Sequence, residues 1–86
     1  MAYTLEIGRP AAKFLRNLTD KHLYLRMREA LNGLEINPRP SGYVKLQGGE
    51  ELYRIRVGDY RIVYQIQDRK LVVLVVQIGH RREIYR

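Results

Sequence analysis

Two alternating runs on either side of Gly58-Asp59 constrain this chain more than any other stretch. Leu52 to Val57 reads Leu-Tyr-Arg-Ile-Arg-Val, and Tyr60 to Gln67 reads Tyr-Arg-Ile-Val-Tyr-Gln-Ile-Gln. A Gly-X pair between two such runs signals a hairpin closed by a two-residue loop. That loop pairs Val57 with Tyr60, Arg56 with Arg61, Ile55 with Ile62 and Arg54 with Val63. Side chains alternate faces along a strand, and directly opposed residues share a face. Tyr53, Ile55, Val57, Tyr60, Ile62 and Tyr64 therefore point one way, into a core. Arg54, Arg56 and Arg61 point the other way, together. A slip of one residue would bury all three arginines, so the pattern fixes the register.

The remaining elements follow from the same periodicities. Tyr3 to Ile7 alternates as a first strand. Pro10 stands where a helix can begin without needing its missing N–H, and Ala11, Phe14, Leu15 and Leu18 recur at helical spacing. Thr19-Asp20 ends that helix and offers an N-cap to the next. Leu23, Met27, Ala30, Leu31 and Leu34 form the apolar stripe of a second, longer helix, which stops before Asn37-Pro38-Arg39-Pro40. Val44 to Leu46 is a short strand at most. Lys70 to Ile78 is nearly all aliphatic, as expected of a central strand covered on both faces. The order β-α-α-β-β-β-β predicts an α+β fold, with two N-terminal helices on one face of a small, twisted, mostly antiparallel sheet. With nothing left to cover it, the other face is expected to be partly open.

All 86 residues fit a single domain, 1–86, with a small core. The absence of cysteine rules out a disulfide scaffold and thiolate metal sites, and it fits a reducing cytoplasm. With two histidines besides, neither a metal site nor a bound cofactor is expected. No apolar run approaches the ~20 residues of a membrane span, and no signal-peptide pattern opens the chain. Sixteen basic residues against nine acidic ones give a net charge of +7, which favours a polyanionic partner, nucleic acid foremost.

Arg56 opposite Arg61 sharpens that expectation. Directly opposed like charges destabilise a sheet, and an anion between them removes the repulsion. The planar guanidinium fork suits phosphate, to which it donates bidentate hydrogen bonds. Without an anion, the same pattern is a solvated sheet face. The tail Gly79-His80-Arg81-Arg82-Glu83-Ile84-Tyr85-Arg86 adds further cations and an aromatic. That composition suits single-stranded RNA, held by charge at phosphate and by stacking at bases; it also suits a tyrosine laid against the sheet edge. His80 is either a proton shuttle or a bystander. Lys45, in Lys45-Leu46-Gln47-Gly48, faces either RNA or solvent.

The hairpin from Leu52 to Tyr64, followed by Gly79-His80-Arg81-Arg82-Glu83-Ile84-Tyr85, resembles the RelE/ParE toxin superfamily, on its RelE side. The Ala11, Phe14 and Leu18 helix, the Pro38 turn and Lys45-Leu46-Gln47-Gly48 match the same layout, so the likeness covers essentially the whole chain. It implies the toxin of a type II toxin–antitoxin module: a cytoplasmic messenger-RNA endonuclease that works on the ribosome and is neutralised by a cognate antitoxin protein. It also implies a site made of two basic residues on the first hairpin strand, an arginine on the second, and an arginine and a tyrosine in the tail. Those positions are Arg54, Arg56, Arg61, Arg81 and Tyr85. One departure stands out. The first-strand pair is lysine in the best-known RelE pattern and arginine here, and arginine does not give up its proton. A general-base role at Arg54 or Arg56 is therefore disfavoured.

The chemistry implied is attack of a 2′-OH on the neighbouring phosphate without a metal, leaving a 2′,3′-cyclic phosphate and a 5′-OH. The arginines stabilise the developing charge, and the base is Tyr85, His80, or a group of the RNA or ribosome. The alternative is a ParE-like protein that poisons DNA gyrase by binding. That branch shares the fold but has no need of Arg61, Arg81 and Tyr85 on one face.

Overall fold

The computed structural model of the chain describes residues 2–47 and 51–80. Its elements are β1 (Thr4–Ile7), α1 (Arg9–Asn17), α2 (Lys21–Ile36), β2 (Val44–Lys45), β3 (Leu52–Val57), β4 (Tyr60–Gln67) and β5 (Val72–His80). The strands form one sheet in the order β1-β5-β4-β3-β2. Every pairing is antiparallel except β1 with β5, which is parallel; the two helices connect β1 to β2 at the opposite edge of the sheet. Both helices lie on one face, as the sequence predicts. Among the described residues, no helix is long and apolar enough to cross a membrane.

Local chemistry sets the helix limits. Pro10 sits in the first turn of α1, where its lack of an N–H costs nothing. Asp20 caps α2: its carboxylate accepts the Leu23 N–H at 3.1 Å, an interaction worth about 1 kcal/mol. From α2, Met27, Leu31 and Leu34 are fully buried. From α1, Ala11 is buried, and Phe14, Leu15 and Leu18 pack at its margin. Against them the sheet presents Tyr53, Ile55, Val57, Ile62, Tyr64, Ile66, Val73, Val75 and Ile78. Tyr60, expected in the core, is only half-buried, at the end near the turn.

Two features of β5 depart from the sequence reading. The connection from β4 is a single turn of tight helix, Asp68–Lys70, and Leu71 follows it with φ 54°. The strand therefore starts at Val72 rather than Lys70, and it runs on to include Gly79 and His80. It is also not covered on both faces: Val72, Leu74 and Val76 are only half-buried, because both helices lie on the other side. Within it the register shifts: Val63 pairs with Gln77 but Tyr64 pairs with Val75, which leaves Val76 as a bulge. A bulge reverses the alternation beyond it. Val73 and Val75 face the helices before it, and Ile78 does so after it.

The segment between α2 and β2 is fastened at several points. The Tyr64 hydroxyl, inside the core, donates to the Pro38 carbonyl at 2.7 Å. Arg39 grips Asp68 with both Nη atoms, at 3.3 and 2.8 Å, and the Tyr3 hydroxyl donates to the same carboxylate at 2.7 Å. The Arg39 guanidinium, and then the Tyr3 hydroxyl, hold the Asp68 carboxyl below its ordinary pKa. Burial pushes the Tyr64 phenol well above its ordinary value, so it remains a donor.

Tyr64→Phe removes the hydroxyl that donates to the buried Pro38 carbonyl. A loss of about 1–2 kcal/mol in a urea titration is expected, with an unchanged slope. Asp68 has a depressed folded pKa, so its contribution is complete above its unfolded value of about 3.9 and is lost as the pH falls through the folded one. Asp68→Asn should therefore flatten the acid limb of stability below about pH 4 and leave its shape near neutrality unchanged.

Candidate functional site

The hairpin turn decides where the arginines stand. Gly58 has φ 62°, which a glycine adopts without strain and which matches the first central position of a type II′ turn. The turn sets the register Val57–Tyr60, Arg56–Arg61, Ile55–Ile62, Arg54–Val63 and Tyr53–Tyr64, the set of pairs read from the sequence. Arg54, Arg56 and Arg61 consequently share the sheet face turned away from the helices.

Their surroundings differ in a way the sequence did not disclose. Arg56 is exposed and Arg54 half-buried, but Arg61 retains only 7% of its accessible surface. Its Nε and Nη1 atoms are shielded from solvent. The reading of the pattern as a merely solvated sheet face therefore does not describe Arg61. Two placements give Arg61 room to lie along the sheet. Arg61 lies in β4, the middle strand of five, with Arg56 opposite it on one side and Gly79 opposite it on the other. Gly79 has no side chain to compete for the space beside Arg61. The β5 bulge brings Gly79 to this face; without it, parity would have turned Gly79 toward the helices.

The same bulge places His80 away from the arginines. His80 pairs directly with Tyr60, so the two share the helix-side face, and their rings meet edge to face at 5.4 Å. Tyr60 in turn contacts the Phe14 ring at 5.6 Å. Of the two roles the sequence left open for His80, this geometry fits an aromatic neighbour better than a proton shuttle at the arginine face. Lys45 pairs with Tyr53 on edge strand β2 and is exposed, so register assigns it to the helix-side face too. Arg81 and Tyr85 lie outside the described residues.

Around the arginines, parity adds Val44 on β2, Leu52 on β3, Val63, Gln65 and Gln67 on β4, and Val72, Leu74 and Gln77 on β5. The Gln67 amide donates to Gln65 at 2.8 Å. The strip is thus cationic at the hairpin, and toward its far end Gln65 and Gln67 are flanked by Leu52, Leu74 and Val72 of the neighbouring strands. Guanidinium forks and neutral amides side by side can hold a phosphate and offer hydrogen bonds to sugars or bases. Sequence reasoning overlooked Arg39, whose partner Asp68 is remote in the chain; the Asn37-Pro38-Arg39-Pro40 run signalled only a helix end.

Comparison with known proteins gives a consistent picture. The family described as ParE toxin of type II toxin-antitoxin system, parDE, matches residues 5–85. The mRNA interferase toxin RelE of Escherichia coli is 34% identical over 92 residues, covering 99% of this chain and 92% of the relative. A chain in the crystal structure of the intact E. coli RelBE toxin–antitoxin complex superposes with a TM-score of 0.79 at 32% identity, covering 92% of this chain and 96% of that one. One in the archaeal RelE–RelB complex from Pyrococcus horikoshii does so with a TM-score of 0.82 at 32% identity, covering 96% and 99%.

Arg56 separates binding from stability. Arg56→Gln removes a like charge facing Arg61, so the urea midpoint should hold or rise, the unfolding free energy gaining up to about 1 kcal/mol. Affinity for single-stranded polynucleotide should fall, and the slope of log affinity against log salt should shrink by about 0.7 for one lost phosphate contact. A lower midpoint with an unchanged slope would show that Arg56 serves the fold instead.

Proposed function

This chain belongs to the ParE toxin family of type II toxin–antitoxin systems, and from that premise we propose that it is a messenger-RNA endonuclease whose working surface is the arginine face of the hairpin. One observation carries this reading: Arg54, Arg56 and Arg61 share one sheet face, two of them opposed across strands despite their mutual repulsion. A cation cluster that weakens the sheet is explained by an anion it must hold. The alternative, gyrase poisoning by binding, does not call for that cluster, and RelE-named relatives favour the nuclease.

In the proposed reaction, a ribose 2′-oxygen attacks the adjacent phosphorus and the bond from phosphorus to the 5′-oxygen breaks. The 2′-OH proton passes to a base, and the departing 5′-oxygen takes up a proton. The products are a 2′,3′-cyclic phosphate and a free 5′-OH. Arg54 and Arg56 are accessible and contact the phosphate directly, stabilising charge as it develops. Arg61, buried beneath them, acts as a fixed positive charge behind the reacting group and orients Arg56. Such preorganised charge is usually the largest single contribution at sites of this kind, and here it requires no metal ion. Arg81 and Tyr85 complete the site under this reading, with Tyr85 stacking on a splayed base or accepting the 2′-OH proton. The reaction takes place on translated message in the ribosome, in the cytoplasm. The chain is silenced by a cognate antitoxin, as the relatives solved in complex with RelB are paired with theirs.

Purified chain added to a translating extract should cut message within open reading frames and leave 5′-OH ends. Replacing Arg54 or Arg56 by Ala should lower the rate by about 10²–10³. Tyr85→Phe distinguishes the two tyrosine roles: near-normal cutting means stacking, whereas a loss of about 10²–10⁴ means proton transfer. Intact message accompanied by loss of gyrase supercoiling would overturn the reading in favour of the alternative.

A further inference from the structure

Beside the arginines, the outer edge of the sheet is cut short. Strand β2 pairs with β3 only through Val44–Arg54 and Lys45–Tyr53. Before Val44 the chain turns away, leaving β3 uncovered from Ile55 to the hairpin. The resulting recess holds about 390 Å³ and is lined by Ser41, Gly42, Val44, Arg54, Ile55 and Arg56.

The recess is built into the fold. Its floor is the turn Pro40-Ser41-Gly42-Tyr43, closed by the Tyr43 N–H on the Pro40 carbonyl at 3.1 Å. Gly42 has φ 91° at the third position of that turn, where a type II turn demands glycine. A Cβ built on Gly42 would meet nothing within 4 Å, so the missing side chain leaves open space next to Arg56. The turn cannot drift. Pro38 is tied to Tyr64 and Arg39 to Asp68, and the Asn37 side chain accepts the Arg39 N–H at 3.0 Å. On its far side, the Tyr43 ring contacts that of Tyr53 at 5.5 Å.

The lining is specific in its chemistry. Val44, 40% exposed, offers an apolar wall, Ser41 a hydroxyl, and Arg54 and Arg56 planar cations. Stacking on guanidinium planes, one apolar contact and one hydrogen-bonding group are what an unstacked nucleobase requires. An acidic peptide would use the charge but leave the apolar wall and the turn's open space unfilled.

We propose that this recess receives the base of a nucleotide flanking the phosphate held by Arg54 and Arg56, and that Ser41 and Val44 set which bases are accepted there. The inference rests on the endonuclease reading and adds to it a subsite outside the reacting groups. The base enters over Gly42, stacks against Arg56 and lies against Val44, while Ser41 meets its polar edge. One such pocket contact discriminates between ligands by about 10–200-fold.

Cut sites mapped in a translating extract for the native chain, Val44→Phe and Ser41→Ala test this. Val44→Phe narrows the recess on an edge strand that tolerates aromatics. Cutting at the native-preferred sites should fall about 10-fold while the other sites change less, so that base preference at one flanking position is redistributed. Ser41→Ala should alter preference at the same position. An equal loss at every site, or unaltered preference in both variants, would overturn the proposal. A direct measurement avoids any folding defect. A 2′-deoxy trinucleotide, which lacks the attacking hydroxyl, is titrated into the native chain while backbone amide resonances are followed. Shifts at Gly42 and Val44 are expected; shifts there with an oligoglutamate peptide but not with the trinucleotide would make the recess a peptide site and sink the assignment. The two failures are separable, because a native chain that cuts no message refutes the endonuclease reading, whereas native cutting with unchanged preference in the variants refutes the recess alone.

Discussion

Arg56 faces Arg61 because the core leaves the hairpin no other register. One pair nearer the turn, Val57 and Tyr60 point toward the helices; one pair further away, Ile55 and Ile62 do, followed by Tyr53 and Tyr64. Each fully buried side chain of this kind contributes about 1.5–3 kcal/mol. The repulsion of one opposed pair costs at most about 1 kcal/mol. A slip by one residue would exchange several of the former for three buried cations, so the apolar pairs win by a wide margin. The arginine face follows from the core on the opposite side of the same two strands, and the helices, turn and edge strand are arranged around that division.

The bulge at Val76 completes the arrangement. Without it, Gly79 would face the helices and Ile78 would face the arginines. With it, Ile78 closes the core, His80 joins Tyr60, and the glycine falls beside Arg61. Arg61 can then lie low in the sheet while Arg54 and Arg56 stand above it. A charge held under the surface loses little to screening and keeps its orientation when a ligand arrives.

Much of this was legible in the sequence because it depends on short-range periodicity. The hairpin, both helices, the Asp20 cap and the division into two sheet faces all follow from spacings of two or of three and four. What stayed hidden depends on partners remote in the chain. Lys70 to Ile78 is so uniformly aliphatic that its alternation conceals the bulge, and Gly79 reads as the start of a tail rather than as a strand residue opposite Arg61. The burial of Arg61 cannot be read from its own strand, since Arg54, at a site of the same parity, remains half-exposed. The link from Arg39 to Asp68 spans 29 positions, and the recess over Gly42 exists only because β2 stops short of β3. Arg81 and Tyr85, the tail half of the expected site, lie outside the described residues and rest on resemblance.

The placement of the proton acceptor follows by parity from the same geometry. Guanidinium groups do not release protons near neutral pH, so Arg54, Arg56 and Arg61 supply charge and orientation only. The other side chains that β4 turns to their face are Val63, Gln65 and Gln67, and none of these is a base. His80 is held on the helix side with Tyr60, and a swing to the arginine face would mean breaking the β5 pairing that brings Gly79 beside Arg61. Under the proposed reaction, the base then comes from the tail or from the RNA and ribosome, with Tyr85 the first candidate. Clustered arginines favour the phenolate form of any tyrosine brought among them. A chain with arginine on both first-strand positions would therefore depend on its tyrosine more heavily than one with lysines there, since a lysine can share the proton-transfer work and an arginine cannot.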